Sequence, residues 1–211
     1  MECIVFFGIQ GSGKGTQATL LSEALGYCHI NIGDLFRDHA ARQTPIGKQV
    51  AEIIRSGALV DDNLVFEIVR QATPQDCKGI VFDGFPRTAN QAEYLGAHYR
   101  VIQAFFLDLS ESAAVARVAA RRVCASCGEN YNLKTMPPKR ENECDQCGGA
   151  LTVRQDDQPE AIAKRLKEFY EQTLSLREFF CQQKLLTVVS AEKGIDDIFA
   201  TIMARVKELQ G

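Results

Sequence analysis

Lys14 stands near the end of the run Gly8-Ile9-Gln10-Gly11-Ser12-Gly13-Lys14-Gly15-Thr16, which directly follows an apolar stretch at residues 3–7. Glycines let successive backbone NH groups turn inward free of Cβ clashes, and a helix starting there adds the positive end of its dipole. Such a loop cradles phosphate, and Lys14 brings it a mobile positive charge. The Gly-x4-Gly-Lys spacing is the Walker A pattern. Gly15, however, takes the position where most such loops place the hydroxyl that binds magnesium, and Thr16 comes one residue late.

A second set of groups could serve the same anions. Ile80-Val81-Phe82-Asp83 is an apolar strand ending in an acid, the form expected of a carboxylate that holds a magnesium shell. Gly84-Phe85-Pro86-Arg87 then sets a guanidinium just beyond the strand end, facing the same region as the glycine loop. Arg37, Arg117, Arg121, Arg154 and Arg165 lie near the ends of two polar inserts or on adjoining helices. Transfer between two polyphosphates must gather many negative charges, and planar guanidinium groups bind phosphate oxygens bidentately at fixed geometry.

Cys124-Ala125-Ser126-Cys127-Gly128 and Cys144-Asp145-Gln146-Cys147-Gly148 are two matched turns whose spacing is that of a four-cysteine zinc site. Each turn presents two thiolates on one side, and a closed shell of four sulfurs leaves no open position, so the metal is expected to be structural. Iron is the alternative metal, and paired disulfides or redox thiols the alternative chemistry. Within residues 121–157 Arg121, Arg122, Lys134, Lys139, Arg140 and Arg154 balance Glu129, Glu141, Glu143, Asp145, Asp156 and Asp157, whereas a ribbon gripping nucleic acid should be basic. Cys3, Cys28, Cys77 and Cys181 lie scattered among apolar neighbours and read as core thiols of a reducing compartment.

These groups need a scaffold. The chain of 211 residues is 45% hydrophobic and 24% charged, which fits one main domain with a small appendage. A net charge of −3 gives no general attraction to nucleic acid or anionic membranes, so any phosphate site must be built locally. No apolar run reaches the roughly 20 residues of a membrane span, and no basic region with a cleavage site opens the chain, so a cytoplasmic protein is expected. Continuous apolar runs at 3–7, 80–82, 104–109 and 185–189, with a fifth at 28–30, read as buried strands. Helical stretches are expected at 16–25, stopped by Gly26, and at 63–72, 89–98 and 111–122, the last capped by Ser110. A long helix is expected from Pro159, with the stripe Ile162, Leu166, Phe169, Leu174 and Phe179, and a final one at 195–209. Strands alternating with helices argue for an α/β fold with a parallel sheet. Residues 31–60 and 121–157 fit this scheme poorly and are expected to form mobile subdomains.

Along essentially the whole chain these residues resemble the adenylate kinases, nucleoside monophosphate kinases of the long-lid bacterial type. Residues 8–17 resemble the family's glycine loop, where Gly-Lys-Gly-Thr is the usual form. Gly33-Asp34-Leu35-Phe36-Arg37 is similar to its monophosphate-site helix start, and Asp83-Gly84-Phe85-Pro86-Arg87-Thr88 with Gln91 to its signature segment. Arg121-Arg122-Val123 and Arg154-Gln155-Asp156-Asp157 resemble the two edges of its lid, with Cys124, Cys127, Cys144 and Cys147 in the zinc positions. The resemblance implies a three-layer fold like that of P-loop nucleoside triphosphate hydrolases, with a five-stranded parallel sheet. It implies a core of residues 1–30, 61–120 and 158–211, a monophosphate-binding subdomain at 31–60 and a zinc-binding lid at 121–157. The reaction implied is ATP + AMP ⇌ 2 ADP with magnesium, by a monomer serving adenine nucleotide homeostasis.

The same resemblance assigns roles. Gly11, Ser12, Gly13, Lys14, Gly15 and Thr16 would hold the ATP phosphates, and Asp83 the magnesium hydration shell. Arg117 and Arg121 would grip the ATP side, with Asn130 and Tyr131 near ATP in the lid and Lys193 meeting adenine through its carbonyl. Arg37 and Arg87 would bind the AMP phosphate, Arg154 and Arg165 the transferring group and its acceptor. Ile32, Ala58, Leu59, Val60, Gly84, Phe85, Pro86 and Gln91 would complete the AMP site, Gln91 reading the base. Two departures stand out: Gln10 where the family usually has proline, and Asn31-Ile32 where it usually has Ser-Thr or a similar small pair. Ile32 removes a hydroxyl beside the monophosphate base, which leaves UMP, CMP or GMP as alternative acceptors. A reading from another class is a zinc-ribbon nucleic-acid-binding protein with a nucleotide switch.

Overall fold

A computed structural model of the chain describes residues 1–210. Five strands form one parallel sheet in the order β2-β3-β1-β4-β8: β1 (Glu2–Gly8), β2 (Cys28–Asn31), β3 (Ile80–Asp83), β4 (Arg100–Asp108) and β8 (Leu186–Ser190). The central strands β1 and β3 are buried on both faces, as their unbroken apolar runs require. Phe6 stacks on Phe105 across β1 and β4 at 5.3 Å between ring centroids. The register sets Phe6 beside Asp83 and Asp83 beside Asn31, so the carboxylate falls at the carboxyl ends of three neighbouring strands.

Helices α1 (Lys14–Leu25), α4 (Asp62–Ala72), α5 (Ala89–His98) and α6 (Glu111–Ala119) connect the strands. Gly26, in the left-handed conformation with φ 65°, ends α1 by donating its NH to the Ser22 carbonyl. Thr88 caps α5, its side chain accepting from Gln91 N. Residues 31–60 hold a helical pair, α2 (Ile32–Ala41) capped by Asn31 and α3 (Pro45–Ser56) capped by Thr44 with proline in its first turn. Residues 121–157 hold a three-stranded antiparallel sheet in the order β6-β5-β7, from β5 (Arg121–Cys124), β6 (Asn130–Asn132) and β7 (Leu151–Thr152), then a 3₁₀ turn at Gln155–Asp157.

Three expectations need correction. The helix expected at 111–122 ends at Ala119, because Arg121 and Arg122 pair as strand residues with Asn132 and Tyr131. The long helix from Pro159 is divided into α7 (Pro159–Glu168), a π turn at Phe169–Thr173 and α8 (Leu176–Gln182). The wider turn keeps both Phe169 and Phe180 buried against Phe106 and Phe7. The final helix α9 runs Ile195–Gln210. Of the four scattered cysteines only Cys3 is a core thiol, pushed up to about 12 chiefly by burial. Cys181 is exposed, and Cys28 and Cys77 form a disulfide, because the start of β2 lies beside the loop that leads into its neighbour β3.

Candidate active site

The loop between β1 and α1 is held open by its backbone. Gly11 sits at φ 80°, where a Cβ would lie 2.8 Å from the Ala114 carbonyl oxygen. Lys14 begins α1 and turns back over the loop, donating to Gly8 O at 2.9 Å and Ile9 O at 2.8 Å. Burial lowers its ammonium to about 8; Asp83 opposes this, and Arg87, Arg121 and Arg165 add to it. Gln10 extends its amide nitrogen to the Ile162 carbonyl on α7, 3.4 Å away. A Cβ on Gly15 would stand 3.3 Å from Asp83 Oδ2, so the loop and the acid at the end of β3 meet closely.

Arg87 lies in the strap between β3 and α5. Its Nε donates to Gly84 O at 2.9 Å, its backbone NH to Gln91 Oε1 at 2.8 Å, and its carbonyl accepts from Thr173 Oγ1. Burial brings the Arg87 guanidinium down to about 10, with Arg165 adding to the effect and Asp83 opposing it. Gln91 gives its other amide end to Asp62 Oδ1 at 2.7 Å, so both ends of that side chain are engaged.

The remaining cations converge on three acids. Arg37 bonds Asp34 at 2.6 Å and Asp156 at 3.3 Å. Arg165 pairs with Asp156 and lies 3.6 Å from Asp157, while Arg121 takes both oxygens of Asp157, its Nε at 2.7 Å. Arg154 donates to Asn130 Oδ1 and stands 3.9 Å from Asp34. Burial lowers Arg154 to about 10, with Arg37 and Arg121 next in effect. Asp156 and Asp157 are buried. They neutralise guanidinium groups that would otherwise repel one another in a place of low polarity. In the sequence these two aspartates read as a lid edge and as part of a balanced charge count; Arg37 on α2 and Arg121 on β5 are distant from them in sequence, and no local pattern marks the pairing.

One cavity gathers much of the expected acceptor site. Ile32, Phe36, Ile54, Val60 and Val65 give it an apolar side, and Arg37, Arg87, Gln91 and Arg165 a polar one; Ala58, Leu59, Gly33 and Gly84 complete the lining. Phe85 and Pro86 do not line it. Phe85 is fully buried against Phe82, because the strap needs an apolar anchor in the core. Arg154 is held outside the lining by Asn130 and Asp34. Lys193 is exposed in the turn between β8 and α9, and Arg117 lies on α6 with its carbonyl accepting from Asn132 Nδ2.

Tyr131 also departs from expectation, since its side chain is buried in the cysteine knuckles. Its hydroxyl lies 3.4 Å from Cys144 Sγ and accepts from Asp145 N at 2.7 Å. That hydroxyl pulls Cys144 down to about 6. The sulfurs of Cys124, Cys127, Cys144 and Cys147 all lie within 4.8 Å of one another, with Cys124–Cys147 at 3.5 Å and Cys127–Cys144 at 3.6 Å. Tetrahedral zinc with four Zn–S bonds sets neighbouring sulfurs about 3.8 Å apart, so the group fits a closed four-sulfur metal shell. Backbone NH groups of Ser126 and Cys127 point at Cys124 Sγ, which suits a thiolate. No helix among the described residues is long and apolar enough to cross a membrane.

The family profile described as adenylate kinase matches residues 6–185. A protein of Treponema denticola named adenylate kinase is 38% identical over 207 residues, covering 97% of this chain and 99% of the relative. The adenylate kinase of Borrelia turicatae is 40% identical over 92% of this chain and 94% of its own. That of Thermotoga maritima is 37% identical over 96% of both.

Proposed function

The chain belongs to the adenylate kinase family, and we propose that it transfers the γ-phosphoryl group of ATP to AMP through the residues gathered between the glycine loop and the apolar cavity. The observation that carries this reading is the convergence of Arg37, Arg121, Arg154 and Arg165 on Asp34, Asp156 and Asp157 beside that cavity. Several guanidinium groups held ready on carboxylates can exchange those partners for phosphate oxygens when two nucleotides arrive.

Lys14 and the loop NH groups hold the phosphates of ATP, and the wall of Ile32, Phe36, Val60 and Val65 receives the base of AMP. Arg37 and Arg87 hold the AMP phosphate; Arg121 and Arg117 face the ATP side; Arg165 and Arg154 stabilise the charge of the group in flight. No side chain needs to act as nucleophile or base, because alignment and charge stabilisation supply the catalysis. Asp83 would hold the hydrated magnesium that comes with ATP and neutralises charge on its phosphates. Water is a competing acceptor, so residues 31–60 and 121–157 close as monophosphate-binding subdomain and lid over a core of 1–30, 61–120 and 158–211. Cys124, Cys127, Cys144 and Cys147 hold zinc, which keeps the lid a rigid flap. The protein works as a cytoplasmic monomer and does not bind nucleic acid.

A panel of AMP, UMP, CMP and GMP assayed with MgATP tests the acceptor. AMP turned over fastest supports the proposal; another monophosphate clearly ahead of it would overturn it. Ile32 in the cavity lining is the feature that favours a different base, since it presents methyl groups where a hydroxyl could read a polar edge.

A further inference from the structure

We propose that Asn31 is a positioning residue, whose side-chain amide orients the Asp83 carboxylate for magnesium-bound ATP and ties it to the start of the acceptor-side helix. The inference rests on the role given to Asp83 above. Asn31 is both the last residue of β2 and the cap of α2, and the parallel register sets it directly beside Asp83. Its Oδ1 accepts from Asp34 N at 2.9 Å, and its Nδ2 donates to Asp83 Oδ2 at 2.6 Å. A backbone NH only donates and an ionised carboxylate only accepts, so these two partners fix which way round the amide lies.

Asp83 is 4% exposed, and among the described residues the Asn31 amide is the hydrogen-bond donor that its carboxylate has. His29 Nε2 stands at 3.9 Å, beyond hydrogen-bond distance. The bond fixes one carboxylate oxygen and leaves the other as the acceptor that would meet the water shell of a magnesium ion. It also fixes the rotation of a short side chain whose aim sets that contact. Gly15 explains how the loop admits the pair, because a Cβ there would press on Asp83 Oδ2 at 3.3 Å and reach Asn31 Nδ2 at 4.0 Å. The other end of the amide holds the first turn of α2, where Asp34 bonds Arg37, a lining residue of the acceptor cavity. A serine in place of Asn31 would cap α2 equally well, but its single hydroxyl is too short to hold both partners.

The test is calorimetric titration of the whole protein with ATP, in excess Mg²⁺ and in chelator, for wild type, Asn31→Ser and Asn31→Thr. Both variants keep a capping oxygen, so their thermal midpoints should fall only by the few degrees that one lost hydrogen bond costs. The gain in ATP affinity on adding Mg²⁺ should fall about threefold or more in each, since one short hydroxyl cannot hold both partners and adds no charge. Affinity for ATP in chelator and for AMP should hold within about twofold. A gain that survives in Asn31→Ser, or an AMP affinity that falls in step with it, would reduce Asn31 to a helix cap and overturn the inference. A wild type whose ATP affinity ignores Mg²⁺ would instead remove the role of Asp83, and the inference with it.

Discussion

Thr173 donates a hydrogen bond of 2.9 Å from Oγ1 to the carbonyl of Arg87, so the π turn between α7 and α8 holds the backbone of the strap that carries the guanidinium. Insertion of one wide turn into a helix is the kind of local cost that persists where it serves a site. Replacing Thr173 with valine keeps the shape and removes the donor. Unfolding in urea should show a loss of about 1 kcal/mol, and KM for AMP should rise while KM for ATP holds. Unchanged AMP kinetics would mean that the strap keeps its place without this bond.

Lys14 sets the alkaline limit of ATP use. Its ammonium, ordinarily near 10.5, is lowered to about 8 chiefly by burial. The charged form binds phosphate, so kcat/KM for ATP should fall about tenfold per pH unit once pH passes roughly 8. Lys14→Arg, which stays charged, should lose that limb whatever its absolute rate. Stability of the free protein runs the other way. Between about 8 and 10.5 the unfolded chain binds more protons than the folded one, so this group makes stability rise with pH across that window.

The buried acids make a prediction at the other end of the scale. Burial opposes ionisation of Asp156, yet Arg165 and Arg37 hold it below its ordinary 3.8. A depressed carboxylate contributes stability above its ordinary value and loses it as pH falls towards the folded one. Asp156→Asn should therefore unfold more easily in urea at pH 7 and show a flatter loss of stability below pH 4. Asp157→Asn strips the bidentate partner from Arg121 and should cost about 3 kcal/mol at neutral pH. An equal cost of Asp156→Asn at pH 3 and pH 7 would show that packing, not charge, is what Asp156 supplies.

Removal of the metal should unfold residues 121–157 before it affects the core. Chelator treatment, verified by metal analysis, should add a low-temperature transition in calorimetry and make limited proteolysis cut first within that segment. Cys144→Ser should reproduce both changes in untreated protein. A metal-free sample with an unaltered melting profile would contradict the structural role.

The scaffold was legible in the sequence wherever one physical cause dominated. Unbroken apolar runs such as residues 80–82, too short for a helix and bounded by turn residues, read as buried strands, and Gly26 or Thr88 mark helix ends through their own backbone chemistry. The helix expected to continue through Arg121 and Arg122 failed because helical preference there yields to strand pairing with Asn132 and Tyr131, which only the closed knuckles make available. The glycine loop, Asp83, Arg87 and the four cysteines could be found from local spacing. Asp156, Asp157, Asp62 and Thr173 could not, since each acts through a partner that folding brings from a distant segment: Arg37, Arg121, Gln91 and Arg87. Tyr131 had the same difficulty in reverse: beside Asn130 it reads as a lid residue, and only the fold turns its ring towards sulfur.

That ring has a spectroscopic consequence. The chain contains no tryptophan and five tyrosines, so its near-ultraviolet emission is tyrosine emission, and one of the emitters rests against Cys144. A thiolate at that distance drains an excited phenol, whereas a sulfur whose lone pairs are shared with a metal drains it less. Tyrosine emission should therefore change when the cysteine cluster gains or loses a metal, a difference that fluorescence before and after chelation reads without any label.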